Sequence, residues 1–157
     1  MAHLSRRLAM MPRDYRLRDA DDGDFDILYR IHRTAIGPYV EQTWGSWDDD
    51  AQRQYWRDRF SPARIQVIET EDGTAGYLEL VVHPDHLEVA NIELSPRNQR
   101  RGIGTSLLRS ILEEAQSLHH PVRLQVLKVN PAHRLYERLG FVQTGETDTH
   151  YLMAFGR

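Results

Sequence analysis

The chain contains no cysteine, which excludes a disulfide framework, a thiolate metal site and a cysteine nucleophile together. No apolar run approaches the length needed to cross a bilayer. Strong charge of either sign is missing too. Twenty basic residues stand against 23 acidic ones, a formal net charge of −3, so neither nucleic acid nor an anionic membrane is expected as the main partner. There is no Gly-Lys-Ser/Thr phosphate loop, and no third glycine completes a dinucleotide fingerprint, because Leu107 stands in its place. No internal repeat or low-complexity linker is present. What remains is a chain of 157 residues, 40% hydrophobic, which suits one domain with a real core and reads as cytoplasmic. Residues 1–13 are basic and carry Leu8-Ala9-Met10-Met11, too short and interrupted for a secretory signal. They are expected to form a loose tail, leaving 14–157 as the domain.

The chain is organised around Gln99-Arg100-Arg101-Gly102-Ile103-Gly104 and the Thr105, Ser106 and Leu107 that follow. Before it, Leu87, Val89, Ile92 and Leu94 make a strand that Pro96 ends. After it, Ile103, Leu107, Ile111 and Ala115 recur four apart, with Leu108, Leu112 and Leu118 beside them, the spacing of a helix with one broad apolar face. A strand therefore runs into a glycine-bearing turn that opens a helix. The first N–H groups of such a helix have no internal partner and lie at the positive end of its dipole. Gly102 and Gly104 leave the backbone bare, and Arg100 and Arg101 add charge at the rim. This is a cradle for phosphate.

A second block runs from Leu124 to Phe141. Residues 124–129 read as a buried strand, Asn130-Pro131 stops it, and Pro131 suits the first turn of a helix. Leu135 and Leu139 share a face of that helix, and Gly140 is a natural left-handed stop. The pattern Gln-x-x-Gly-x-Gly, followed one helix and one strand later by Asn130, Ala132, Leu135-Tyr136 and Gly140-Phe141, resembles the GCN5-related N-acetyltransferases. The resemblance covers roughly the last two-thirds of the chain. One departure stands out: Asn130 precedes Tyr136 by six positions, where the family more often has about seven. Asn130 therefore reads equally as a cofactor contact and as a cap between strand and helix.

The rest of the chain falls into order around these blocks. Residues 15–18 form a short strand. Asp21-Asp22 caps a helix with Phe25, Leu28, His32 and Ala35 along one face, expected to stop at Gly37-Pro38. Residues 39–47 are expected to be an aromatic loop holding Tyr39, Trp44 and Trp47 beside Glu41. Asp48-Asp49-Asp50 starts a helix reaching Phe60. Residues 64–70 and 74–82 are strands joined by Glu71-Asp72-Gly73, a hairpin signal. His83-Pro84-Asp85-His86 is another turn, whose two histidines lack a third ligand and read as turn residues, so no metal is expected. Residues 141–145 and 150–155 close the chain as strands. The expected class is α+β, a mixed and mostly antiparallel sheet of six to seven strands with about four helices on both faces. The resemblance adds that the sheet splays after its fourth strand to admit a pantetheine arm.

It also implies the chemistry, an acetyl transfer from acetyl-CoA to a primary amine in a ternary complex. Acetyl-CoA is thus the expected co-substrate. The cofactor contacts implied are Leu94, Gln99, Arg100, Arg101, Gly102, Ile103, Gly104, Thr105, Asn130 and Tyr136. Leu94 is expected at a bulged strand position whose N–H meets the acetyl carbonyl, and Tyr136 as the acid for the leaving sulfur. A phenol near pKa 10 suits a thiol near 8.5. Glu93, in a largely apolar strand where burial makes a carboxylate more basic, is the candidate base. Glu41 and Trp44 could hold an ammonium by charge and π face, with His150 and Tyr151 on the same acceptor side. A small-molecule or amino-acid-like amine is the expected acceptor. The alternatives are a peptide or protein N-terminus, a non-catalytic acyl-CoA-binding module, and a nucleotide-binding module. A homodimer is possible, since dimers are common in this family.

Overall fold

The computed structural model describes residues 14–156; the basic segment expected as a tail lies outside the described residues. Among the described residues, seven strands and four α-helices follow in the expected order. They are β1 (Arg16–Asp19), α1 (Phe25–Trp44), α2 (Asp49–Arg59), β2 (Ile65–Thr70), β3 (Gly73–Val82), β4 (Leu87–Leu94), α3 (Ile103–Ser117), β5 (Val122–Leu127), α4 (Ala132–Arg138), β6 (Val142–Glu146) and β7 (His150–Phe155). They form one sheet in the order β1-β2-β3-β4-β5-β7-β6. Every neighbouring pair is antiparallel except β4 with β5.

That exception shapes the molecule. β4 and β5 pair only from Leu87 to Val89 against Val122 to Leu124, although β4 continues to Leu94 and β5 to Leu127. Beyond that point the two strands part, as the resemblance implies. A core lies on each face of the sheet. Leu107, Leu108, Ile111 and Ala115 of α3 pack with Leu78, Leu87 and Val122 on one side. Leu28 and Tyr29 of α1 meet Trp56 of α2 with Val67 and Tyr77 on the other. Leu118, expected on the apolar face of α3, caps the helix and is exposed.

The first helix does not stop where the sequence suggests. α1 runs through Gly37 and Pro38 to Trp44, so the expected aromatic loop is largely helix. Proline removes the hydrogen bond to the carbonyl four residues back, here that of Thr34. Both Thr34 and Pro38 lie on the exposed side of the helix. Gly37 is buried, and a Cβ there would only come into ordinary contact with the Trp47 ring at 3.7 Å. The stop is Gly45 in the left-handed region, φ 91°, whose N–H donates to the Glu41 carbonyl at 2.7 Å.

Candidate active site

The parted strands open a single cleft of about 1490 Å³ that runs from the turn before α3, between β4 and β5, to the space beneath α1 and α2. Gly102, Ile103, Gly104 and Thr105 line its α3 end. Gly102 is the N-cap at φ 82°, and no side chain caps the helix. The first hydrogen bond inside it runs from the Ser106 N–H to the Gly102 carbonyl at 3.0 Å, so the N–H groups of residues 103–105 have no helical partner. Arg100 also adopts a left-handed backbone, φ 59°, and lines the cleft. These bare donors and this cation fit a diphosphate.

Two residues expected here as ligand contacts also hold the turn together. The exposed Gln99 donates from Nε2 to the Leu94 carbonyl at 2.9 Å, tying the turn to the strand. Arg101 is not among the residues lining the cleft and donates to Asn98 Oδ1 at 3.3 Å. Asn98, not singled out in the sequence, is 1% exposed and donates to Ser95 Oγ at 2.7 Å. It is the buried pin of the turn, and an Asn among charged residues gives no pattern that would reveal it.

β4 forms the floor of the cleft, and its irregularity falls at Ala90 rather than at Leu94. Asn91 pairs with Glu79 and Val89 with Leu80, leaving Ala90 as the extra residue, while Leu94 pairs in register with Gly76. The bulge switches faces. Leu87, Val89, Ile92 and Leu94 all face the α3 core, whereas Glu93 turns to the α1 side. There it is 9% exposed. Its two oxygens lie 3.0 and 2.9 Å from His32 Nδ1 on α1, and the Tyr77 hydroxyl of β3 donates to Oε2 at 2.8 Å. The His32 ring stacks on Trp56 at 4.9 Å and is flanked by Trp47 at 5.9 Å. Burial and the nearby Glu93 carboxylate push the Tyr77 phenol well above its usual range, so it remains a donor. In the sequence His32 reads only as a member of an apolar helical face, and its partner lies 61 positions away.

Tyr136 of α4 enters from the opposite wall. Its ring is buried at 8% exposure, edge-on to Phe141, but its hydroxyl is not sealed off and takes no partner among the described residues. Burial first, and then the charge of Glu93, push its phenol up to about 12. Asn130 behaves as a cap, its Oδ1 accepting from the Ala132 N–H at 2.9 Å, and it also lines the cleft.

At the far end, Trp44 and His150 come together, ring centres 6.4 Å apart, and both line the cleft. Burial lowers the His150 pKa. Glu41 does not join them. The continuation of α1 past Pro38 leaves it exposed and outside the cleft. The carboxylates that do line the wall, besides Glu93, are Glu79 and Glu88. Glu79 is met by Arg64 at 3.3 Å and Glu88 by His83 at 2.7 Å. Glu88 also lies near both histidines of the turn, the donor atoms of His83, His86 and Glu88 falling within 4.8 Å.

The model of the acetyltransferase (GNAT) family matches residues 26–141. Among solved structures, that of the PaiA N-acetyltransferase from Thermoplasma acidophilum in complex with coenzyme A is similar over 92% of this chain and 100% of its own, with a TM-score of 0.72 and 16% identity. The ribosomal-protein-S18-alanine N-acetyltransferase from Escherichia coli is similar over 90% and 93%, with a TM-score of 0.65 and 21% identity. Arabidopsis thaliana Naa50 in complex with the bisubstrate analogue CoA-Ac-MVNAL is similar over 92% and 100%, with a TM-score of 0.65 and 14% identity. No curated protein sequence matches significantly.

Proposed function

The chain belongs to the acetyltransferase (GNAT) family, and we propose that it moves the acetyl group of acetyl-CoA to the primary amine of a small cationic or amino-acid-like acceptor. The observation that carries this reading is the continuity of the cleft. It joins the turn before α3 to the gap where β4 and β5 part, and that gap to a wall of carboxylates and aromatic rings. An ammonium is favoured on such a wall by the faces of Tyr39, Trp44 and Tyr55.

The direct route needs an amine stripped of its extra proton, a donor for the carbonyl oxygen as charge develops there, and a proton for the leaving sulfur. Leu94 is the proposed source of the backbone N–H, its side chain 3.8 Å from where a Cβ on Gly104 would lie, at the mouth of the cradle. Tyr136 is the proposed partner of the sulfur. With its phenol at about 12 and a free thiol near 8.5, complete proton transfer would run uphill by about 5 kcal/mol in water. The burial that raises the phenol also raises a thiol buried beside it, which restores much of the match. Tyr136 therefore acts first as a hydrogen-bond donor, and its proton moves as the C–S bond breaks.

A peptide N-terminus is the second reading. It is favoured by the likeness to the Escherichia coli enzyme and to the Arabidopsis complex, whose names carry an N-terminal alanine and a peptide. The test is release of free thiol from acetyl-CoA with a panel of small cationic amines and of short peptides, a clean assay because the protein has no cysteine of its own. We expect kcat/KM to be at least ~10-fold higher for the best amine than for the best peptide, a gap of about 1.4 kcal/mol. The reverse order would replace the first reading with the second. Tyr136→Phe should lower kcat ~10- to 100-fold while leaving acetyl-CoA affinity intact; an unchanged rate would remove Tyr136 from the chemistry.

A further inference from the structure

Acetyl transfer as proposed needs a group that takes the acceptor's proton, and the surroundings of Glu93 are unsuited to its doing so directly. Its carboxylate is nine-tenths buried and already receives the His32 Nδ1 and the Tyr77 hydroxyl. The two Glu93 oxygens lie 3.0 and 2.9 Å from Nδ1, and Oε2 also takes the Tyr77 hydroxyl, the geometry of a carboxylate accepting from two donors. An Nδ1–H donor leaves the lone pair of a neutral imidazole on Nε2. That nitrogen has no polar partner among the described residues. Nor is it sealed: the unpartnered buried side-chain nitrogens among those residues are Trp56 Nε1 and Arg64 Nε. His32 lines the same cleft as Leu94 and Tyr136.

We infer that His32 is the general base of the transfer, acting through Nε2, and that Glu93 and Tyr77 are positioning residues that fix its tautomer and orientation. The inference rests on the acetyl-transfer reading. The acceptor ammonium gives one proton to Nε2, directly or through one water, and the imidazolium passes it to solvent along the cleft. The freed amine lone pair forms the N–C bond to the thioester carbonyl, and the C–S bond breaks. The thiolate takes the Tyr136 proton. The second proton lost by the nitrogen passes to Nε2 and returns through water to the Tyr136 oxygen. One proton is released overall, matching an ammonium and a thioester converted to an amide and a thiol.

Trp47 and Trp56 keep the ring in place, and the titratable groups within hydrogen-bond reach of it are Glu93 on β4 and Tyr77 on β3.

His32→Gln keeps a donor for Glu93 but has no basic nitrogen. In the amine assay it should lower kcat at least ~100-fold at pH 7. The deficit should shrink as pH rises and the acceptor deprotonates unaided, with acetyl-CoA affinity unchanged. A deficit under ~20-fold, or one that is constant with pH and accompanied by weakened acetyl-CoA binding, would overturn the assignment. A second readout needs no turnover. Long-range 15N–1H spectra of the wild type should show His32 protonated at Nδ1 and bare at Nε2, with Glu93→Gln loosening that tautomer. A proton found on Nε2 in the wild type would overturn the dyad. A protein that binds acetyl-CoA, has the expected tautomer and acetylates neither amines nor peptides would instead count against the acetyl-transfer reading.

Discussion

Gly102→Glu is expected to weaken acetyl-CoA binding at least ~100-fold in a calorimetric titration, a loss of about 2.7 kcal/mol. Two effects add at this position. The backbone sits at φ 82°, where any residue with a Cβ is strained by about 1–2 kcal/mol. The new carboxylate would also stand at the end of a helix whose free N–H groups await an anion. The fold should survive, because a Cβ at Gly102 meets no atom within 4 Å. Gly102→Ala separates the two contributions, since it brings the backbone strain without the charge. It should weaken binding no more than ~10-fold. Gly104→Ala probes the ligand side. Its Cβ would make ordinary contact with Leu94 at 3.8 Å, so any loss of affinity there must come from the approach of the ligand to the backbone. Binding by Gly102→Glu within ~5-fold of the wild type would mean that the phosphates lie elsewhere.

How far the sequence reveals this site depends on how local each signal is. The turn at Gly102 and the helix after it are written in consecutive residues, with turn glycines and a four-residue apolar repeat, and both form as expected. So do the hairpin at Asp72-Gly73 and the order of all seven strands. The end of α1 is misread because Gly37-Pro38 is a local stop signal that tertiary packing overrides. Val40 beyond it is buried, while Pro38 itself is exposed. That one error moves Glu41 off the acceptor wall. The bulge at Ala90 is hidden for a different reason: it depends on how β4 registers against β3, and it alone turns Glu93 towards α1. The His32–Glu93–Tyr77 cluster joins three elements and exists only once the sheet is assembled. Gly76 is not singled out in the sequence, although a lone glycine inside a strand is where a bulge or a close backbone approach is found.

At Gly76 that approach is extreme, and Gly76→Ala should be the most destabilising small substitution in the sheet. A Cβ there would sit 2.0 Å from the Glu93 carbonyl oxygen and 3.0 Å from both the Glu93 carbonyl carbon and the Leu94 Cα. These are backbone atoms, so no side-chain rotation relieves the clash. β3 and β4 must move apart where Gly76 pairs with Leu94 and Tyr77 with Glu93. The hydrogen bond from the Ser95 N–H to the Ala75 carbonyl, 2.8 Å, is at risk beside it. A cost of about 3 kcal/mol is expected, which for a domain of this size lowers Tm by roughly 6–12 °C in a thermal melt. The consequence reaches the chemistry as well. Parting the strands shifts Glu93 relative to Tyr77 and His32, and shifts the Leu94 N–H relative to the cradle. Turnover should therefore fall at least ~10-fold even at temperatures where the variant is fully folded. A melt within 2 °C of the wild type, on the same scale of about 2–4 °C per kcal/mol, would mean that the strands separate there without cost. The tight seam between β3 and β4 would then not be what holds Glu93 in place.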